Sequence, residues 1–112
     1  MNTAIPLDPA DFDTAVQRTL RGSRYVQRLL DHDPELLPWL RTCYATPCTA
    51  AEMAAWLSLL PLTDEASLSR ALRILRKRVM LKLLTRDLGG WADLVEVTAC
   101  MTALAEITIQ HA

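Results

Sequence analysis

At 112 residues the chain can build one modest hydrophobic core, and it is shorter than a typical enzyme. Its net charge of −1 argues against binding nucleic acid through an overall positive field. No apolar run approaches the roughly 18 residues that a membrane-spanning helix needs. Apolar residues make up 51% of the chain and aromatic residues 5%, and the abundance of Ala and Leu favours helices. We therefore expect a soluble, cytoplasmic, all-α protein without nucleic-acid or membrane partners.

Helix-capping signals divide the first third of the chain. Asp8 followed by Pro9 predicts an N-cap and the first turn of a helix that runs to about Leu20. Gly22 interrupts the helical pattern, and Ser23 predicts the N-cap of a second helix. The apolar residues that share one face of this second helix predict its buried side: Tyr25, Val26, Leu29 and Leu30.

Proline and a capping box predict the next two helices. Asp33 before Pro34 repeats the cap-and-proline pattern, and Pro38 predicts that the third helix is short or bent. Thr49 and Glu52 have the spacing of a capping box, in which each side chain binds the backbone amide of the other residue. They predict the start of a fourth helix.

The longest predicted helix covers residues 64–88. Thr63 predicts its N-cap, Asp64 and Glu65 place two acids at the positive end of the helix dipole, and nothing breaks the helix before Gly89 and Gly90 end it. Two apolar stripes lie on nearly opposite faces: Leu68, Leu72, Leu75, Val79 and Leu83 form one, and Ile74, Leu81, Leu84 and Leu88 form the other. A helix with two apolar faces packs between neighbours, so we expect it at the centre of the fold.

A sixth helix is predicted for residues 91–110, with an apolar stripe of Leu94, Val97, Met101 and Leu104. Six helices without a strand pattern predict an all-α helical bundle, and we expect residues 1–112 to form a single helical domain.

Basic residues are concentrated in the long helix of an otherwise acidic chain. Segment 64–88 holds seven basic and three acidic residues, a net charge of +4, while the remainder holds five basic and ten acidic residues, a net charge of −5. The simplest partners of the basic residues are the chain's own carboxylates, such as Asp31, Asp33, Glu35, Asp93, Glu96 and Glu106. A DNA-reading helix would instead need an exposed polar face, and this one lacks Asn and Gln. These features favour a structural hub.

The sequence offers no catalytic, cofactor-binding or metal-binding set. Cys43, Cys48 and Cys100 lack the spacing of a disulfide framework or a zinc site, so we expect small buried side chains. Asp11 and Asp13 have the spacing D-x-D, but acidic residues are favoured at a helix start in any case.

The run LRILRKRVMLKLLTRDLGGWADLVEVTACMTALAEITI resembles the N-terminal region of the glutamine synthetase adenylyltransferase family, also called glutamate-ammonia-ligase adenylyltransferase. Three family motifs occur in order. The form L-R-x-x-R-R-x-x-M-x-R is matched by Leu72, Arg73, Arg76, Lys77, Met80 and Lys82. The form R-D-L-x-G-x-x-x-L-x-E is matched by Arg86, Asp87, Leu88, Gly90, Leu94 and Glu96, and L-x-x-L-A-E by Met101, Leu104, Ala105 and Glu106. Upstream, SRYVQRLLDHDPELLPWL resembles the family's S-x-Y-V-x-x-x-L-x-x-x-P-E-x-L segment. Lys77 and Lys82 stand where the family often has Arg, and Met101 where it has Leu.

This resemblance implies a part of a large bifunctional enzyme. In the family, the C-terminal half attaches AMP from ATP to a tyrosine of glutamine synthetase. The N-terminal half removes the AMP by phosphorolysis, and PII signalling proteins and glutamine bias the two activities. Both halves depend on a G-x-x-K-L-G-G-x-E-L motif and a D-x-D pair that holds magnesium, and neither occurs here in that context. Magnesium and ATP are therefore implied for the parent enzyme only.

The resemblance implies the N-terminal helical part of the deadenylylating half, without a catalytic site of its own. Ile107 and Ile109 are still in helical rhythm, so we expect the chain to continue towards a nucleotidyltransferase domain that is absent here.

Three roles remain open. In the first, the basic flank formed by Arg70, Arg73 and Lys77 meets an acidic surface on glutamine synthetase or a PII protein. In the second, the chain is a free-standing helical interaction or dimerisation module that buries side chains such as Trp39 and Trp56. In the third, Arg86 or Asp87 contributes directly to catalysis, although an ion pair or helix-end role suits both better.

Overall fold

The computed structural model describes residues 9–111 and contains six α-helices and no strand within that range. The helices are α1 (Pro9–Gly22), α2 (Arg24–His32), α3 (Leu36–Cys43), α4 (Ala50–Ser58), α5 (Glu65–Leu88) and α6 (Leu94–His111). The predicted all-α bundle is confirmed, and its long helix has almost the predicted bounds. The N-cap of this helix is Asp64, one residue after the predicted Thr63. The predicted cap at Asp8 lies outside the described residues.

Helix α5 contributes to both hydrophobic clusters of the fold. The first cluster joins α4, α5 and α6, and its buried members include Met53, Leu57, Leu75, Val79, Leu83, Cys100 and Leu104. The second joins α1, α2 and α3 to α5, and its buried members include Phe12, Val26, Leu29, Leu40, Tyr44 and Leu81. Leu75, Val79 and Leu83 of the first predicted stripe lie in the first cluster, and Leu81 of the second stripe lies in the second cluster, which confirms that this helix packs between neighbours. Leu88, which was assigned to the second stripe, is 37% exposed.

Local hydrogen bonds define both ends of α5. The carboxylate of Asp64 accepts from the backbone N–H of Ser67 at 2.7 Å, and the Ser67 hydroxyl binds back to the Asp64 backbone N–H at 3.1 Å. The hydrogen bond from the Ser67 backbone N–H, with a further contribution from the Ser67 side chain, holds the pKa of the Asp64 carboxyl below its usual range. At the other end Gly90 has a φ of 85°, and the N–H of Trp91 donates to the Arg86 carbonyl at 2.8 Å. Gly90 therefore supplies the left-handed residue of a Schellman-type helix end.

The predicted cap at Asp33 is wrong, whereas the cap at Ser23 is confirmed. The Ser23 hydroxyl accepts from the N–H of Val26 at 3.2 Å. Asp33 is instead the C-cap residue of α2, and α3 begins only at Leu36. Pro38 consequently lies in the first turn of α3, where its missing N–H removes no helical hydrogen bond. The third helix is short, as predicted.

The capping box predicted at α4 forms only in part. The hydroxyl of Thr49 accepts from the backbone N–H of Glu52 at 3.2 Å, so the N-cap itself is confirmed. The Glu52 carboxylate lies 2.7 Å from Nζ of Lys82 and contacts α5 instead of completing the box. A tertiary ion pair has taken the side chain that the local motif would use.

The predicted apolar stripe of α6 is wrong at two of its four positions. Leu94 is 79% exposed and Met101 is also exposed, while the buried residues are Cys100, Leu104 and Ile107. Glu96 and Glu106 are the only charged residues between Leu94 and His111 when histidine is neutral. Because the helix is uncharged on most sides, its sequence does not show which side meets the core. Tyr25, expected on the buried face of α2, is likewise 42% exposed.

Replacement of Gly90 by Ala should lower the free energy of unfolding by about 1–2 kcal/mol, the cost of placing an L-residue at positive φ. A Cβ at Gly90 would have no atom within 4 Å, so the effect is conformational and not steric. Gly90→Asn is the matched control, since Asn tolerates the left-handed region better. Urea unfolding should rank Asn above Ala, and equal stability of Gly90→Ala and wild type would contradict the assignment.

Candidate functional site

The basic residues of α5 divide into a buried group and an exposed group. Lys82 is 0% exposed and Arg86 is 5% exposed. The exposed group consists of Arg70, Arg73, Arg76 and Lys77. A charge that leaves water needs an ionic partner and further hydrogen bonds, whereas an exposed charge does not. The two groups therefore have different physical requirements.

Arg86 is held by four polar contacts to three other residues. Its Nε lies 2.6 Å from Oε2 of Glu96, and its Nη2 lies 2.9 Å from Oε1 of the same carboxylate. Its Nη1 donates to the carbonyl oxygen of Tyr44 at 2.8 Å, and its Nη2 to that of Trp91 at 3.5 Å. The two-pronged pair with Glu96 joins α5 to α6, and the carbonyl contacts add the segment after α3. The ion-pair role expected for Arg86 and Glu96 is therefore confirmed.

Lys82 joins α5 to α4 in the same manner. Its Nζ lies 2.7 Å from Oε1 of Glu52 and 3.5 Å from the hydroxyl of Thr46. Glu52 was not among the carboxylates expected to pair, because its spacing from Thr49 assigned it to a cap. The available signal was the position of Lys82 between the apolar residues Leu81 and Leu83, since a cation buried there requires a carboxylate.

Arg78 lies between the two groups and packs against an aromatic pair. Its guanidinium carbon is 5.4 Å from the ring centroid of Trp39, and its Nε is buried without a hydrogen-bond partner in the described part of the chain. The rings of Trp39 and Trp56 meet edge to face with centroids 5.2 Å apart. These two tryptophans therefore pack on each other, and they form no isolated exposed anchor for a partner.

The structure brings Arg70, Arg73 and Lys77 together as the basic flank on one exposed face of α5, because their spacings are three and four residues. Lys77 Nζ lies 3.4 Å from Oδ2 of Asp33, which confirms one of the expected pairs. Arg70 and Arg73 form no ion pair within residues 9–111. The flank thus keeps most of its charge available to a partner.

An open groove of about 450 Å³ lies between α2 and the Lys77 end of the basic flank. Its lining residues are Tyr25, Arg28, Leu29, His32, Asp33 and Lys77. Sequence reasoning missed the contribution of α2, because Arg28 and Lys77 are far apart along the chain. The spacing of Tyr25, Arg28 and His32 by three and four residues, which places them on one helical face, was the signal that could have found it.

The D-x-D residues do not form a metal site. Asp13 pairs with Arg41 at 3.1 Å, and the Arg41 guanidinium lies 4.6 Å from the ring centroid of Phe12. Nowhere between residues 9 and 111 do three His, Cys, Asp or Glu side chains come close enough together to hold a metal ion. The described residues therefore offer no cluster of ligands for the magnesium that the resemblance implies for the longer enzyme. Nor does any helix in this range have the length and apolar character needed to cross a bilayer.

The three cysteines are unpaired by disulfides. Cys48 and Cys100 are buried in the first hydrophobic cluster, as expected for small apolar side chains. The hydrogen bond between the two thiols, together with burial, raises the pKa of Cys48. Burial also raises the pKa of Cys43. A raised thiol pKa disfavours the reactive thiolate, which is consistent with a packing role for Cys43 and Cys48.

The family model and the similar proteins all indicate the same protein family. The model of the family described as glutamate-ammonia ligase adenylyltransferase matches residues 14–112. A bifunctional glutamine synthetase adenylyltransferase/adenylyl-removing enzyme from Nitrosomonas eutropha is 47% identical over 94% of this chain. Proteins of the same name from Nitrosomonas europaea and Aromatoleum aromaticum are 44% and 38% identical over 96% and 93% of it. The chain spans 11–12% of the length of these relatives. No solved structure matches it.

Replacement of Arg86 by Met should lower the free energy of unfolding by about 3–5 kcal/mol, because the buried Glu96 carboxylate loses its partner. Lys82→Met should cost less, because the Glu52 side chain is 25% exposed and can reach water, whereas that of Glu96 is 13% exposed.

Arg73→Met on the exposed side of the same helix is the control, and it should change stability by less than about 0.5 kcal/mol. Urea unfolding measures all three. A loss for Arg86→Met no larger than that for Arg73→Met would contradict the structural role of the buried cation.

Proposed function

Because this chain belongs to the glutamate-ammonia ligase adenylyltransferase family, we propose that it is the N-terminal helical portion of an enzyme that adenylylates and deadenylylates glutamine synthetase. It belongs to the deadenylylating half and has a structural or regulatory role. A nucleotidyltransferase domain elsewhere in the longer protein supplies the chemistry with ATP and magnesium. The chain corresponds to about one-eighth of the length of its relatives, which supports its assignment to a portion of a longer enzyme.

The division of the cations on α5 is the observation that carries the proposed role. Lys82 and Arg86 are fully used in holding the helices together. Within residues 9–111, Arg70 and Arg73 form no ion pair, and Lys77 forms only an exposed one. Three positive side chains on one helical face are complementary to an acidic protein surface, and such complementarity speeds encounter and selects partners. We assign that acidic surface to glutamine synthetase or to a PII signalling protein.

A structural role suits Arg86 and Asp87 better than a catalytic one. The donors of Arg86 are directed at Glu96 and at two backbone carbonyls, which leaves the guanidinium buried and fixed. Asp87 is exposed, and its carbonyl accepts the N–H of Gly90 at 3.1 Å in the helix end. Within the described part of the chain, no group of three His, Cys, Asp or Glu side chains could hold the metal ion that assists phosphoryl chemistry.

A second candidate is a free-standing helical interaction or dimerisation module. The observation that favours it is the outer face of α6, where Leu94, Val95 and Ile109 are each more than 70% exposed. Exposed apolar side chains on one helix are typical of a surface that packs against another protein. Analytical ultracentrifugation of the 112-residue chain and of Leu94→Glu distinguishes the candidates. A stable dimer that this substitution dissociates would favour the module, and a monomer would favour the enzyme.

Sequencing the gene past codon 112 tests the premise of the enzyme proposal. We expect the reading frame to continue into a K-L-G-G-x-E-L and D-x-D segment, which would supply the carboxylates for magnesium-assisted chemistry. A stop codon directly after codon 112 would refute it.

In the full-length enzyme, Arg70→Glu, Arg73→Glu and Lys77→Glu combined should weaken recognition of glutamine synthetase or its PII-dependent regulation by about tenfold or more. Each exposed charge contributes about 0.5–1 kcal/mol, and 1.4 kcal/mol corresponds to a factor of ten. Kinetic assays with and without PII measure the effect, and the melting temperature should remain near that of the wild type.

Arg70→Lys and Arg73→Lys combined serve as the control, since the charges are retained. Normal regulation in the charge-reversed enzyme, or an equal loss of melting temperature and regulation, would contradict the proposal.

A further inference from the structure

We propose that the groove between α2 and α5 binds an extended acidic segment of a partner protein that carries an apolar anchor residue. This inference rests on the proposed function, because it extends the interaction surface assigned to the basic flank. Its new components are Tyr25, Arg28 and His32 on α2, and they meet the flank at Lys77.

The groove and the basic flank form one continuous surface. Tyr25, Arg28 and His32 follow one face of α2, and Lys77 closes the groove from α5. Arg73 and Arg70 continue from Lys77 along α5 for about 10 Å, since each helical residue rises about 1.5 Å. A segment that lies in the groove can therefore continue along the basic flank. The combined length of the groove and the basic flank suits an extended peptide better than a small molecule.

The charge along this surface selects an acidic ligand. Arg28, Lys77, Arg73 and Arg70 are cations, and Asp33 is the only carboxylate that lines the groove. The contact between Lys77 and Asp33 is 3.4 Å long and exposed, so it is worth about 0–1 kcal/mol. An incoming carboxylate can therefore compete for Lys77 at small cost. Arg28 offers a guanidinium that can bind a carboxylate through two parallel hydrogen bonds.

The apolar part of the groove accounts for the anchor residue. Tyr25 is 42% exposed although Val26 and Leu29 of the same helix are buried, and Leu29, 6% exposed, forms part of the lining. Tyrosine combines a large apolar ring with a polar tip and is enriched where proteins meet. A volume of about 450 Å³ has room for side chains of an extended segment, whereas a folded face would not enter it.

The same surface suits nucleic acid less well. A nucleic-acid strand carries a phosphate at every nucleotide and would place one beside the Asp33 carboxylate, whereas a peptide can place an uncharged residue there. None of the groove residues is Asn or Gln, the amide side chains that commonly read bases. An acidic protein segment is therefore the ligand class to which we commit.

Fluorescence anisotropy with the 112-residue chain tests the inference directly. The probe is a fluorescein-labelled synthetic peptide in which glutamates surround a single leucine. The comparison probes are the same peptide with lysine in place of glutamate, and a labelled single-stranded DNA of the same charge as the acidic peptide. We expect saturable binding of the acidic peptide only. No binding of this peptide, or tighter binding of the DNA, would overturn the inference.

Two substitutions and a matched control locate the site. Arg28→Glu should weaken peptide binding by about tenfold, and Tyr25→Ala by at least about threefold through loss of the anchor contact. Arg18→Glu on α1 is the control, since it reverses an exposed charge that does not line the groove, and it should change binding by less than about twofold. Melting temperatures of all variants verify folding. Equal weakening by Arg18→Glu and Arg28→Glu, or unchanged binding by Tyr25→Ala, would show general electrostatic attraction and overturn the assignment.

These experiments separate the groove from the proposed function. If the peptide experiments fail while the charge-reversed full-length enzyme shows impaired regulation, the inference about the groove is refuted and the proposed function stands. If the peptide binds in the groove while the charge-reversed enzyme shows normal regulation, the proposed function is refuted and the inference about the groove stands.

Discussion

The buried guanidinium of Arg86 is the constraint on which much of the fold depends. Its side chain requires the Glu96 carboxylate, and this requirement fixes α6 against α5. The backbone carbonyl oxygen of Arg86 also accepts hydrogen bonds from the N–H groups of Trp91 and Ala92 at 2.8 and 3.1 Å, so the same residue organises the turn between α5 and α6. The contact of its Nη1 with the Tyr44 carbonyl then positions the segment between α3 and α4. One residue thus determines where three parts of the chain meet.

A second consequence follows for the charge of α5. Segment 64–88 carries a net charge of +4, which by itself would be compatible with nucleic-acid binding. Part of this positive charge is neutralised within the protein by Glu52 and Glu96. The exposed positive charge of α5 lies on the basic flank and on the adjoining Arg76. Because the two sets lie on different sides of one rigid helix, the fold can hold an interaction surface in place without using its cations for stability. This separation is why a structural hub and a recognition element can occupy the same sequence.

The sequence predicted those features that depend on neighbouring residues. The number of helices, the approximate bounds of α5 and the cap at Ser23 all rest on side chains that bind the backbone a few residues away. The N-cap of α5 was predicted one residue early, at Thr63 instead of Asp64, because Thr and Asp are both favoured cap residues. The N-cap assigned to Asp33 was wrong because this residue ends α2, although its pairing with α5 was expected. Glu52 was assigned to a capping box because no local pattern shows its partner Lys82, which is distant along the chain. The orientation of α6 could not be predicted for a different reason, since a nearly uncharged helix lacks the polar side that would mark its exposed face. For the candidate site, the flank on α5 could be predicted, whereas the α2 side of the groove depends on tertiary packing.

The central claim is that α5 joins the two hydrophobic clusters into one folding unit, and native-state hydrogen exchange at low urea concentrations tests it most directly. Amides of α1, α5 and α6 that lie beside buried residues should share one opening free energy, equal to that of global unfolding, because both clusters include α5. The contrary result would be a separate opening of α1, α2 and α3 at lower free energy while α4, α5 and α6 stay protected. That result would show two independent units and would contradict the role assigned to α5.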